Sequence, residues 1–147
     1  MKEIKTIVVP IDLDRHTGKL VDFSIYFAIQ LSAALRFIHV VENVSTGDMM
    51  LGSPSFEPIY EEQARKAQIL VANILEDNRA TLADMDGTVI RGDIVEEVVK
   101  YAATEKAGLL IIGTHGTKGL ERILLGSVAE RVIKRVHCPA LTMNPYR

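Results

Sequence analysis

Four glycines, Gly113, Gly116, Gly119 and Gly126, stand between the apolar run 109–112 and a helix-like stretch that opens at Ser127. Glycine lets backbone N–H groups face a ligand with no Cβ in the way. A helix start such as Ser127 and Val128 adds N–H groups without intrahelical partners, at the positive end of the helix dipole. Together these are the parts of an anion cradle, and the anion they suit is a phosphate. The spacing G-x-x-G-x-x-G, with Lys118 preceding Gly119, matches neither G-x-G-x-x-G nor G-x-x-x-x-G-K-[ST]. A dinucleotide dehydrogenase and a Walker-type NTPase therefore both lose support. A structural reading stays open beside the phosphate one: Ser127 with Glu130 reads as a capping box, Gly113 closes a strand and Gly119 serves a turn.

Asp12 follows the apolar run 7–11 and is the second candidate. A carboxylate at a strand end accepts hydrogen bonds from ribose hydroxyls or holds a divalent metal beside phosphates. The competing role is a turn residue that caps the first helix. His115 lies inside the glycine loop, where it donates to a phosphate or simply meets solvent, and Lys118 and Arg122 offer cations to the same loop. His16, His39 and His137 are too scattered for a zinc site, which needs three or four convergent ligands. Cys138 is the only cysteine, so an intrachain disulfide is excluded and an inert thiol is expected.

The elements that must position these residues alternate. "IKTIVVPI" reads as a strand covered on both faces, and Leu20, Phe23, Phe27, Leu31 and Leu35 recur at helical spacing, predicting a helix that ends near Leu35. "RFIHVVE" is a second strand, followed by a long Ser-, Gly- and Pro-rich loop over 43–58, with Met49, Met50 and Leu51 as a lid or dimer contact. A helix from Ile59 to Arg79, the strand "GTVIRG", and a helix capped by Asp93 with Glu96 follow. The strand "GLLIIG", a helix over 127–136 and the strand "PALTMN" end the chain. Strands alternating with helices imply an α/β fold: a parallel sheet with right-handed crossovers and helices on both faces. In such a sheet ligands bind beyond the carboxyl ends of the strands, where strand order reverses. Asp12, the residues from Val40 to Glu42, Gly92 and Gly113 all fall at such ends.

At 147 residues the chain reads as one domain, 1–147, with an ordinary globular composition. A net charge of −2, with acids and bases interspersed, argues against nucleic acid and anionic membranes as partners. The first apolar run is too short for a signal peptide or a membrane span, so a cytoplasmic protein without membrane insertion is expected.

The pattern Gly113-x2-Gly116-x9-Gly126-Ser127 resembles the G-2x-G-9x-G-[ST] signature of the universal stress protein family. "IVVPIDLD", "FIHVVE" and "LLGSVAERVIKRVHCPALTM" are similar to that family as well, so the resemblance covers essentially the whole chain. It implies a five-stranded parallel sheet of order 3-2-1-4-5, Rossmann-like and akin to the adenine nucleotide alpha hydrolase-like folds. It also implies the family's ATP-binding branch, with Mg or Mn as an accompanying ion. By position, Asp12 would contact the ribose beside Pro10 and Ile11, and Val40 would border the adenine. Ile112 and Gly113 would flank the nucleotide, while Gly116, Gly126, Ser127 and Val128 would meet the phosphates. The resemblance further implies a homodimer through the last strand, from Ala140 to Asn144. Two departures stand out: Asp93-Ile94 replaces a common proline after Gly92, and "DLDRHTG" lacks a serine-rich turn after Asp12.

Three functions follow as expectations. The first is a nucleotide-dependent regulatory or sensor protein in stress response. The second is a slow ATP hydrolase or phosphotransferase with Asp12 holding the metal, and the third an interaction dimer without nucleotide. A flavodoxin-like carrier is disfavoured by four Phe, four Tyr and no Trp to sandwich a flavin.

Overall fold

The computed structural model describes residues 2–43, 57–114 and 126–145. Its elements are β1 (Thr6–Pro10), α1 (Thr17–Leu31), β2 (Ala34–Glu42), α2 (Glu57–Asn78), β3 (Met85–Gly92), α3 (Ile94–Thr104), β4 (Leu109–Gly113), α4 (Ser127–Arg135) and β5 (Ala140–Met143). The five strands form one parallel sheet in the order β3-β2-β1-β4-β5, the expected Rossmann-like arrangement.

Strand side chains alternate between the two faces, and both faces are covered. Ile7, Val9, Leu35 and Phe37 pack on the side of α1 and α2, with Leu20 and Val71 among their helical partners. Val8, Ile38, Leu110 and Ile112 pack on the other side, with Val98 of α3 and Val132 of α4. This two-sided burial is why β1 and β4 read as continuous apolar runs instead of alternating ones.

The first helix stops earlier than its apolar spacing predicts. Leu35 belongs to β2, opposite Ile7, and not to α1. Ser32 takes a left-handed conformation, φ 51° and ψ 42°. Its N–H donates to Ile29 O at 3.2 Å and the Ala33 N–H to Ala28 O at 2.9 Å, the paired bonds of a Schellman stop. That position normally holds glycine, because a Cβ there costs ~1–2 kcal/mol. Ser32→Gly is accordingly expected to stabilise the chain by about 1 kcal/mol in urea unfolding; a loss of stability would contradict a strained stop at Ser32.

The second helix starts at Glu57, so Glu57 and Pro58 are helical and not part of the preceding loop. Proline is tolerated in a first turn, where its missing N–H is not needed. Arg91 of β3 ties this turn to the sheet: its guanidinium bonds Glu57 at 2.7 Å and lies 3.6 Å over the Tyr60 ring. Residues 44–56, including Met49, Met50 and Leu51, lie outside the described residues. The Asp93 cap is as expected, with its carboxylate accepting from Glu96 N–H at 2.9 Å.

Candidate functional site

The strand order reverses at β1, and the hydrogen bonding there opens a crevice. β1 pairs with β2 at every residue from Thr6 to Pro10, but with β4 only at Ile7 and Val8. Lys5 O accepts from Ala34 N–H on the β2 side, and Thr6 O accepts from Gly108 N–H on the β4 side. Odd-numbered residues of β1 therefore address β2 and even-numbered ones address β4. Pro10 is even-numbered and has no N–H to donate, so the ladder toward β4 stops there while β2 stays paired. Beyond Val8 and Leu110 the two strands part at their carboxyl ends, where a doubly wound sheet binds its ligands.

Ile11 continues β1 for one residue, its N–H donating to Ile38 O at 2.9 Å. The Ile11 carbonyl accepts from the His39 Nδ1 of β2 at 2.7 Å. Asp12 comes next, half-buried, and Leu13 follows at φ 62°. A bulky side chain in left-handed backbone costs ~1–2 kcal/mol, so the chain turns sharply and at a cost directly after Asp12. The turn into α1 is organised by Asp14, whose Oδ1 accepts from His16 N–H at 2.8 Å. Asp12 stands at the strand end, and its carboxyl also takes part in the turn by accepting from the Asp14 N–H. Burial raises its carboxyl pKa above the ordinary 3.8, and the neighbouring Asp14 charge raises it further, against hydrogen bonds from its own and the Asp14 N–H groups.

On the other side of the crevice, β4 ends at Gly113, paired with Met143. Thr114 N–H donates to Met143 O at 2.9 Å, and Gly126 N–H donates to Thr114 O at 2.7 Å. The chain that leaves β4 therefore returns to it, and Gly113 and Gly126 share one small frame. His115 and Gly116, with Lys118, Gly119 and Arg122, lie outside the described residues.

The cap of α4 sits one residue earlier than the Ser127/Glu130 pattern predicts. Gly126 is the N-cap, with φ −60° and ψ 150°, and Ser127 is the first helical residue. Glu130 pairs forward with Lys134 at 2.8 Å instead of reaching back to Ser127. The start of α4 is thus a glycine cap that brings no side-chain acceptor of its own. Ser127→Ala is expected to change the stability of the ligand-free chain by no more than a few tenths of a kcal/mol, since no cap is lost. A cost above about 1 kcal/mol in chemical unfolding would restore the capping role.

Val40 and Ile112 are buried in the α3/α4-side core, 6% and 5% exposed, and Val128 packs partly against the same cluster. Their side chains are spoken for by packing, so what they can present to the crevice is backbone. His39 is the residue that spacing analysis passes over. By spacing it offers only a metal ligand, whereas its contact is with the Ile11 carbonyl. Cys138 is half-buried, and burial pushes its thiol pKa up, which fits an inert thiol. Among the described residues no three His, Cys, Asp or Glu side chains converge as a metal site, and no helix is long and apolar enough to cross a membrane.

The chain is similar to known proteins across nearly its whole length. The model of the Universal stress protein family matches residues 3–143. A universal stress protein of Methanocaldococcus jannaschii is 34% identical over 140 residues, which cover 95% of this chain and 82% of that one. The solved universal stress protein UspA of Lactobacillus plantarum shares the fold with a TM-score of 0.80 at 17% identity, over 98% of this chain and 100% of that one. A universal stress protein solved in complex with cAMP has a TM-score of 0.68 at 23% identity, over 98% and 99% of the two chains. Another, from Archaeoglobus fulgidus in complex with dAMP, has a TM-score of 0.65 at 18% identity, over 96% and 98%. With the sheet order, the full-length family match and the relative at this identity, the chain belongs to the universal stress protein family.

Proposed function

We propose that this chain binds ATP in the crevice between the ends of β1 and β4 and acts as a nucleotide-dependent regulator or sensor in the stress response. The observation that carries the reading is the bond from Gly126 to Thr114, which sets the start of α4 beside the end of β4. The first N–H groups of α4 then face the crevice end of the sheet, where a phosphate group suits them. In this reading Asp12 takes the ribose hydroxyls, and Val40, inside β2 shortly before its end at Glu42, borders the adenine. Pro10, Ile11, Ile112 and Gly113 wall the nucleotide. Gly126, Ser127 and Val128, with His115 and Gly116 of the loop, hold the phosphates. The family members solved with cAMP and dAMP support an adenine nucleotide as the ligand class.

A magnesium or manganese ion would arrive on the triphosphate; among the described residues no three His, Cys, Asp or Glu side chains converge to hold one. Fast phosphoryl transfer needs a positioned base and a cationic clamp. Asp12 is committed to the ribose and His39 to Ile11, so hydrolysis is slow or absent. The same reading takes residues 1–147 as one cytoplasmic domain that pairs through β5. That strand is a four-residue edge whose Leu141 and Met143 are only half-buried. An exposed strand edge is a ready template for a second copy.

The test is to denature the purified protein, chromatograph the released nucleotides, and follow thermal unfolding with added ATP and magnesium. A ligand at ~100 times its Kd adds about 2.7 kcal/mol to the folded state, roughly 10 °C in Tm at this chain length. No released nucleotide and no shift would overturn the reading in favour of an interaction dimer. Phosphate release well above background would replace the sensor by an enzyme.

A further inference from the structure

We infer that His39 is a positioning residue for ribose recognition, acting on Asp12 through the Ile11 carbonyl; the inference rests on the nucleotide reading above. Ile11 is 5% exposed, and both of its backbone polar groups are taken by β2: the N–H by Ile38 O at 2.9 Å and the carbonyl by His39 Nδ1 at 2.7 Å. A carbonyl only accepts, so the proton of this bond is on Nδ1 and the imidazole tautomer is assigned by its partner. The peptide that His39 grips is the one that leads into Asp12.

On the far side of Asp12 the backbone is left-handed at Leu13, φ 62°, and the Leu13 side chain packs against the α1/α2-side core. Asp12 is therefore held between an anchored peptide and a strained one. Recognition of two hydroxyls by one carboxylate tolerates errors of only about 0.5 Å. Without the imidazole, the Ile11 carbonyl loses its partner and the strain at Leu13 can relax by turning the Ile11–Asp12 peptide. The carboxylate would leave its position while the phosphate side, carried by β4 and α4, stayed in place. Loss of His39 should thus erase discrimination for the ribose hydroxyls without changing the rest of the binding.

The experiment measures the affinities of the full chain for ATP and for 2′,3′-dideoxy-ATP, which lacks both hydroxyls. The comparison covers the wild type, His39→Leu and His39→Asn, whose amide reaches about as far as Nδ1. The wild type is expected to prefer ATP by ~10-fold or more, as charge-assisted hydrogen bonds provide. His39→Leu should reduce that preference to below ~3-fold with dideoxy-ATP affinity unchanged, and His39→Asn should restore much of it. An unchanged preference in His39→Leu, or equal weakening of both nucleotides, overturns the positioning role and leaves the nucleotide site standing. Failure of the wild type to bind either nucleotide overturns the nucleotide reading itself, and the ribose role with it. A nitrogen-15 NMR spectrum of the wild-type imidazole needs no substitution: protonated Nδ1 is expected, and a neutral ring protonated on Nε2 refutes the Ile11 bond.

Discussion

Gly126→Asp is expected to make the ligand-free chain more stable and to abolish its binding of ATP. Gly126 is the N-cap of α4 in ordinary extended backbone, φ −60° and ψ 150°, so an aspartate takes its place without strain. Its carboxylate would accept from N–H groups of the first turn and would meet the positive end of the helix dipole. The gain is about 0.5–1 kcal/mol, or roughly 2–4 °C in Tm. The same carboxylate fills the space a phosphate needs and repels it. Affinity for ATP should fall by at least ~100-fold, a change of about 2.7 kcal/mol. The opposite signs make the test sharp, because a damaged fold would lower both quantities together. Calorimetric titration and thermal unfolding of the two proteins give both readings, and wild-type affinity in Gly126→Asp would show that phosphates are held elsewhere.

Asp12→Asn should show the same opposition with a pH signature. Folding raises the Asp12 pKa, chiefly through burial, so the folded chain holds this proton more tightly than the unfolded chain does. The stability contributed by the protonated form is complete below the ordinary value of 3.8 and is lost as pH rises through the higher folded value. At neutral pH the ionised carboxylate therefore costs the ligand-free chain stability, and Asn removes that cost. Asp12→Asn is expected to melt above the wild type at about pH 7, and the difference should shrink toward about pH 3, where both side chains are neutral. Binding changes the other way. Two charge-assisted hydrogen bonds to the ribose become ordinary ones, which lowers ATP affinity by ~10–100-fold. A costly charge kept at the crevice fits the trade of stability for binding that this reading expects of Asp12. Equal melting of the two chains at neutral pH, or unchanged ATP affinity, would remove Asp12 from this role.

The sequence discloses much of this architecture because its signals are local. The runs in β1 and β4 announce two-sided burial, and from that a parallel sheet with helices on both faces follows. Asp93 announces its helix start, because an acidic side chain three residues before Glu96 supplies its own acceptor. Where a boundary lacks such a marker, residue spacing does not fix it. Leu35 fits the helical spacing of α1 and the strand β2 equally well, and the stop between them is a left-handed serine instead of a glycine. Ser127 and Glu130 match a capping box by type, yet the helix begins so that Gly126 caps it and Glu130 finds Lys134.

By itself the sequence determined the order of elements, the family and the strand ends at which Asp12 and Gly113 lie, since periodicity and glycine spacing are properties of neighbouring residues; Val40 lies inside β2, which runs on to Glu42. Tertiary structure alone decided what Pro10 and His39 do. Pro10 opens the crevice because strand order and residue parity put its missing N–H on the side of β4. His39 reaches Ile11 across 28 positions of chain because β1 and β2 lie in register. Both effects are hydrogen bonds made or withheld between strands, and no spacing within a single strand encodes which neighbour lies beside it.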